Sequence, residues 1–129
     1  MNNEPFGTLP SFSEVLSQYS AELDIDAIGI WHIVPRAKSL YGLAGDAVSE
    51  YVRRAINAIL DSGGVPVRHI PGSGYDWVQQ KQYGNTRDQI VEALISEWQS
   101  LPEDSIVLAG EAAWFARPDP NYPKHVKID

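Results

Sequence analysis

The chain contains no cysteine, no surplus of basic residues and no long apolar run, and each absence excludes a class of protein. Without cysteine, none of its 129 residues can form a disulfide, a thiolate metal site or a cysteine nucleophile. No apolar stretch approaches the roughly 20 residues that span a bilayer. Ten Lys and Arg against seventeen Asp and Glu give a net charge of −7, which repels nucleic-acid phosphates and favours basic partners.

The length and the near-average composition, with 43% hydrophobic and 21% charged residues, predict one globular domain. We expect residues 1–10 to form a loose arm, because nothing there repeats with a helix or strand period. Residues 11–117 form the predicted domain, and the proline-containing residues 118–129 are expected to be an extended, mobile tail. The N-terminus has no basic region followed by an apolar stretch, so we expect a cytoplasmic protein rather than a secreted one.

Three segments have the apolar spacing of amphipathic helices. Ser11 begins a predicted helix of about residues 11–23, and Thr86 begins another that ends before Pro102. Each of these two residues is followed three positions later by Glu or Gln, which makes a capping box. Between them, residues 46–61 keep an unbroken apolar spacing of three and four residues, so one face of this helix must be buried.

Residues 25–41 fit two structures. As a strand, this segment places Ile28 and His32 on one face, whereas as a helix it carries an apolar stripe through Val34. Pro35 lacks a backbone N–H, so a helix has to end or kink near Val34. The pattern favours the helix and leaves the strand open.

A β-hairpin is predicted at residues 65–80. The glycines of Ser62-Gly63-Gly64 cap the preceding helix, and two alternating segments follow on either side of the turn Pro71-Gly72-Ser73-Gly74. Pro66 marks the first strand as an edge strand or as a strand start. Residues 105–116 are apolar around a Gly-Glu interruption, which predicts one bent strand or two short pieces.

These elements predict an α+β fold, a helix-rich single domain with a β-hairpin. Its order of helix, glycine turn and two strands is similar to that of a winged helix. A winged helix that reads DNA carries Lys and Arg along its recognition helix, but residues 46–61 mix acidic side chains with Arg53 and Arg54. The charge therefore argues against nucleic acid and favours a protein partner.

The polar residues do not form a recognisable catalytic or metal motif. The three histidines His32, His69 and His125 contain no pair at helical i, i+4 spacing, so we expect no metal and no cofactor. Ser73, His69 and Asp76 are the residue types of a hydrolase triad, and all three lie in the hairpin segment. Alternating strand faces argue against convergence of their side chains. We therefore expect no enzymatic activity.

The informative segment is Tyr75 to Gly84, which carries three aromatic residues and three glutamines in ten positions. Tyr and Trp beside amide side chains are typical of protein-contact surfaces, because they bury a large area while keeping polar tips. An alternative is that Trp77 simply covers the helices. Trp114 and Phe115 follow an apolar run, so we expect them in the core rather than in a contact surface. We predict a partner-binding site formed by Tyr75, Asp76, Trp77, Gln80 and Tyr83.

Five short segments between about residues 25 and 117 form a further pattern: Leu43-Ala44-Gly45-Asp46, Gly64-Val65-Pro66-Val67, Trp77 to Gly84, Glu97-Trp98 and Ala113-Trp114-Phe115. This pattern resembles small bacterial immunity proteins of contact-dependent inhibition and related polymorphic toxin systems. The resemblance implies a cytoplasmic, non-catalytic protein that binds and blocks a toxin domain, often a basic nuclease, through an acidic surface. No contact residue is carried over from that family.

Two other functions stay open. A small-molecule-binding protein or a small enzyme would use the hairpin region, and convergence of His69, Asp76 and Tyr83 in a concave site would favour it. A winged-helix nucleic-acid binder would require salt-sensitive DNA binding despite the net charge. Neither the identity of the partner nor the oligomeric state follows from the residues.

Overall fold

The structure, a computed structural model, describes residues 8–100 and 114–128. Within these residues lie four α-helices and a five-stranded mixed sheet, which confirms the predicted α+β fold. The helices are α1 Phe12–Leu23, α2 Ile30–Pro35, α3 Asp46–Asp61 and α4 Arg87–Ser100, with a π-helical turn at Arg36–Leu40. The strands are β1 Ile28–Gly29, β2 Val65–Arg68, β3 Trp77–Gln79, β4 Trp114–Ala116 and β5 Val126–Lys127.

The predicted caps of α1 and α4 are confirmed. Ser11 Oγ accepts a hydrogen bond from the Glu14 backbone N–H at 3.2 Å, and Glu14 Oε1 accepts one from the Ser11 N–H at 3.3 Å. Thr86 and Gln89 repeat this reciprocal pair, with both bonds at 3.2 Å. Because each cap satisfies backbone donors that the first helical turn leaves without partners, the start of each helix follows from local sequence.

The end of α3 depends on two adjacent glycines. Gly63 has a φ of 90°, the left-handed conformation that glycine adopts most easily at a helix end. A Cβ on Gly64 would lie 2.7 Å from Ile59 Cγ2, so only glycine allows the chain to pass this closely over the helix. The pair turns the chain from α3 directly into β2.

The ambiguous segment 25–41 forms a short strand followed by helical structure. β1 is only two residues long, and α2 begins immediately after it. As predicted, the proline interrupts the helix: α2 ends at Pro35, and the chain continues as a π-helical turn in which the Tyr41 N–H donates to Arg36 O at 3.2 Å. The preference for a helix is thus confirmed for most of this segment.

The predicted hairpin lies inside the sheet, whose strand order is β1-β4-β2-β3-β5. β2 pairs with β3 in antiparallel register, with Val67 opposite Gln79, and its other edge pairs with β4. β2 is therefore an internal strand, and Pro66 marks its start rather than an edge. The comparison with a winged helix extends only to the order of α3, β2 and β3.

The C-terminal segment is part of the sheet, so the prediction of an extended, mobile tail over residues 118–129 is wrong. β5 runs parallel to β3, with Val126 opposite Trp77, and the Val126 side chain is buried. Asp119 and Tyr122 form a further antiparallel bridge. This pairing is not visible in the sequence, because it joins segments that are far apart along the chain.

Leu9 and Pro10, the last residues of the predicted arm 1–10, pack onto the domain. Leu9 contacts the helical core, and Pro10 is buried. Arg54 Nη1 also donates to Pro10 O at 2.6 Å, which ties this point to α3. Residues 1–7, and all of the predicted strand 105–116 except β4, lie outside the described residues.

The main hydrophobic core lies between the helices and one face of the sheet. Its strand residues are Ile28 and Phe115, which face side chains of all four helices. At its centre, the hydroxyl groups of Tyr19 and Tyr51 share a 2.7 Å hydrogen bond, and both side chains are fully buried. Burial, together with the bond to Tyr51, raises the pKa of Tyr19 above its usual range, so this pair stays neutral.

Candidate protein-contact surface

The opposite face of the sheet carries a second, smaller cluster, which we call the tryptophan face. Its buried members are Ala27, Val67, Ala116 and Val126, and the partly exposed members that pack on them are Val65, Trp77 and Trp114. None of these residues belongs to a helix of the described chain. The two tryptophans therefore belong to a cluster without hydrophobic members from these helices, although His32 of α2 contacts Trp114.

Trp77 and Trp114 meet across the central strand. Trp77 lies on β3 and Trp114 on β4, and both strands pair with β2. The ring centroids are 5.2 Å apart and the ring planes are inclined by 35°, a common aromatic packing geometry. Both side chains are partly exposed, so each ring is held by its neighbour and keeps part of its surface accessible.

Alternation along β4 separates Trp114 from its neighbour Phe115. Phe115 is fully buried in the helical core, whereas Trp114 faces the opposite direction and contacts Trp77. The sequence placed both residues in the core, and this is correct for Phe115 only. The alternative in which Trp77 covers the helices is also wrong, because Trp77 packs in the second cluster.

Two histidines contact the tryptophans edge-on. The His32 ring lies 5.8 Å from the Trp114 ring with planes at 85°, and the His69 ring lies 6.4 Å from the Trp77 ring at 79°. Burial, and secondarily the positive charge of Arg36, lowers the pKa of His32 below its ordinary value of 6.5. His32 Nδ1 accepts the Gly29 N–H at 3.1 Å, which orients the ring.

Asp76 connects the hairpin to the C-terminal segment. Its backbone N–H donates to Lys124 O at 2.8 Å, and one carboxylate oxygen lies 3.2 Å from His125 Nδ1. His69 Nδ1 lies 3.0 Å from the Asp76 carbonyl oxygen and not from its carboxylate. Ser73 Oγ bonds within its own turn, to the backbone of Tyr75. The structure therefore does not assemble the Ser73, His69 and Asp76 triad.

Four of the five predicted binding residues lie in or next to β3, the strand that carries Trp77. Trp77 belongs to the tryptophan face, and Asp76 precedes Trp77 with its side chain exposed. The Tyr75 ring has the Lys127 ammonium 6.0 Å from its centroid. Gln80 ends the hairpin, where its backbone N–H donates to Pro66 O at 2.9 Å and its side-chain amide donates to Val78 O at 3.1 Å.

Tyr83, the fifth predicted residue, lies in the helical core, so its assignment to the contact surface is wrong. Only 7% of its surface is exposed, and its hydroxyl donates to the Glu97 carboxylate on α4 at 2.9 and 3.0 Å. Burial and the negative charge of Glu97 raise the pKa of Tyr83 to about 12. The cluster proposed for an enzyme, His69 with Asp76 and Tyr83, therefore does not converge.

Two surface hollows adjoin the tryptophan face, and both are lined by Ile25 and Asp26 in the α1–β1 turn. The larger has a volume of about 460 Å³ and reaches His125. The smaller has a volume of about 330 Å³ and reaches His32, which contacts Trp114. The sequence pattern did not point to the larger hollow, because its walls come from opposite ends of the chain, whereas the smaller is lined by residues 22–36 alone.

The described residues contain no group of three His, Cys, Asp or Glu side chains suited to hold a metal ion. None of the helices in this part of the chain has the length and apolar character needed to cross a membrane. Neither a protein-family model, nor a curated protein, nor a solved structure matches this chain. Any argument about function therefore depends on the residues and their geometry.

Proposed function

We propose that this protein is a non-catalytic, cytoplasmic immunity protein, which binds a basic bacterial toxin domain and blocks it by occlusion. The observation that carries the proposal is the Trp77–Trp114 pair, which packs in a cluster separate from the helical core. Rigid aromatic anchors of this kind supply much of the binding energy in protein interfaces. The net charge of −7 adds electrostatic attraction for a basic surface.

In the proposed complex, the tryptophan face contacts the toxin while carboxylates around it pair with basic side chains. Asp76 is exposed beside Trp77 and is held by its contacts with His69 and His125. A nuclease that binds phosphates through Lys and Arg would meet carboxylates at the same positions. The tryptophans would contribute mainly to a slow dissociation rate, and the carboxylates to a fast association rate.

The test is a titration against the toxin domain recovered with the tagged protein, including the product of any large neighbouring gene. We expect a stoichiometric complex in which toxin activity stops. The variant Trp77→Ala/Trp114→Ala should bind at least about tenfold more weakly, because two buried anchors are removed. The control Leu40→Ala removes a side chain that is 64% exposed and is not part of this cluster, and it should bind like the unmodified protein.

A second function is favoured by one observation, the contact between Asp76 and His125 at the edge of the larger hollow. A carboxylate that orients a histidine beside a cavity is an arrangement that small enzymes use for proton transfer. A thermal-shift screen of small molecules distinguishes the two functions. A stabilising ligand whose effect is lost in His125→Gln, together with no protein partner at micromolar concentration, would replace the immunity proposal.

A further inference from the structure

The larger hollow has the chemistry to hold one particular side chain of the proposed partner. We propose that it is an anchor pocket for an arginine of the basic partner, an inference that rests on the proposed function and identifies a contact within it. Residues 23–26 of the α1–β1 turn form one wall, and residues 117–125 between β4 and β5 form the other. Its volume of about 460 Å³ is sufficient for a side chain inserted from outside.

The electrostatics of this anchor pocket favour a cation. Among the described residues, its lining carries three carboxylates, Asp24, Asp26 and Asp119, against one guanidinium, Arg117. Arg117 is already engaged, because it forms an ion pair with Asp24 and its Nη1 donates to Ser62 O at 3.2 Å. Arg117 therefore pairs with Asp24 rather than with Asp26 or Asp119.

Both of these carboxylates are held in place by backbone donors. Asp26 Oδ1 accepts the Ala27 N–H at 2.7 Å, and Asp119 Oδ1 accepts the Asn121 N–H at 2.8 Å. Each bond orients its carboxylate while using only one of the two oxygens. A planar guanidinium, with its five N–H donors, is well suited to contact two carboxylates at once, which an ammonium does less well.

Apolar side chains complete the match to arginine. Ile25 is 85% exposed, which is unusual for an isoleucine, and it lines the pocket between Asp24 and Asp26. Tyr122 is 48% exposed, and its ring stacks on His125 with centroids 6.0 Å apart and planes at 27°. The methylene stem of an arginine can lie along Ile25, and its guanidinium can stack on Tyr122.

The pocket is also continuous with the tryptophan face. His125 lines the pocket, contacts the Asp76 carboxylate and accepts the Trp77 backbone N–H through its carbonyl oxygen at 2.9 Å. A single partner surface can therefore place apolar groups over the tryptophans and an arginine in the pocket. This arrangement resembles an interface in which a charged anchor sits beside an aromatic centre.

The experiment uses N-acetyl-arginine amide as the probe and two-dimensional amide NMR spectra as the readout. We expect chemical-shift changes concentrated in residues 23–26 and 117–125. The neutral isostere N-acetyl-citrulline amide should bind about tenfold more weakly, because it has no charge to pair with the carboxylates. The assignment of this pocket to arginine would be overturned by equal binding of the two probes, by absence of binding, or by changes spread evenly over the surface.

A matched pair of variants separates the pocket from general acidity. Asp26→Asn/Asp119→Asn removes two charges from the pocket, and Asp46→Asn/Asp88→Asn removes two exposed charges elsewhere. We expect only the first variant to lose probe binding by about tenfold. If both variants lose affinity for the probe equally, the assignment of the pocket to arginine is wrong. The citrulline comparison uses the unmodified protein and decides the question even if the first variant does not fold.

Failure of this inference is distinguishable from failure of the proposed function. If the toxin domain binds Asp26→Asn/Asp119→Asn as tightly as the unmodified protein but binds Trp77→Ala/Trp114→Ala weakly, the pocket is rejected and the immunity proposal stands. If arginine binds in the pocket but no basic protein is bound at all, the immunity proposal fails and a cation-binding site is left.

Discussion

The two faces of the sheet use the same strand in opposite ways. On β4, Phe115 points into the helical core and is fully buried, while the adjacent Trp114 points to the tryptophan face and stays partly exposed. The helical side has a closely packed core from four helices, whereas the other side has four buried residues beneath a tryptophan layer. The difference indicates that the first face supplies most of the stability, because it buries many more apolar side chains than the second.

The largest expected effect is that of Phe115→Ala. Removing this ring from the helical core should lower the free energy of unfolding by about 3–5 kcal/mol, because transfer and cavity costs both apply. Urea denaturation followed by circular dichroism measures it. The control Phe12→Ala removes a ring that is 37% exposed, and it should cost far less. Equal losses in the two variants would show that Phe115 does not have the role in the core that its burial indicates.

Trp114→Ala tests the tryptophan face, because Trp114 is the neighbour of Phe115 on β4 but packs in the second cluster. We expect a loss of only about 1–2 kcal/mol in unfolding free energy, because the ring is partly exposed before the substitution. The same variant should retain its circular dichroism spectrum and lose affinity for the toxin domain. A loss of stability as large as that of Phe115→Ala would make Trp114 a core residue and remove the distinction between the faces.

Tyr83→Phe tests whether Tyr83 belongs to the helical core, through the dependence of stability on alkaline pH. Because the folded pKa is raised to about 12 from 10.0, an unfolded chain loses the Tyr83 proton first. This group therefore contributes stability that is full below pH 10 and is lost as the pH rises toward about 12. Urea unfolding across this range should show a shallower decline for Tyr83→Phe than for the unmodified protein.

The control for that experiment is Tyr122→Phe, which changes a tyrosine that is 48% exposed and lies outside the helical core. Its pH profile should match that of the unmodified protein. If Tyr83→Phe also matches, then the hydroxyl of Tyr83 is not held by Glu97, and its exclusion from the contact surface has to be reconsidered.

The smallest expected effect is at acidic pH on the tryptophan face. The pKa of His32 is lowered in the folded protein, so its contribution is present above pH 6.5 and is lost as the pH falls through the folded pKa. His32→Asn keeps an acceptor for the Gly29 N–H but removes the titration. The variant should lose less stability between neutral and acidic pH, as measured by thermal unfolding, and identical profiles would contradict the assignment.

The elements that depend on neighbours along the chain were predictable. The capping boxes at Ser11 and Thr86, the apolar face of α3 and the glycine turn after it all involve residues within four positions of one another. The partners of the hairpin were not predictable, because β4 and β5 reach it from distant parts of the chain. Tyr83 was misplaced for a related reason: an aromatic residue near a turn has the same sequence signal whether it points inward or outward.

By itself, the sequence determined the limits of α1 and α3, the start of α4, the hairpin, the fold class and the acidic charge, since these depend on local spacing, local hydrogen bonds or a simple count of residues. Only the tertiary structure decided that Trp77 meets Trp114, that the C-terminal segment joins the sheet, and that residues 23–26 and 117–125 enclose a hollow. The physical reason is that strand pairing and side-chain burial join residues far apart in the chain, and such contacts leave no fixed spacing in the sequence.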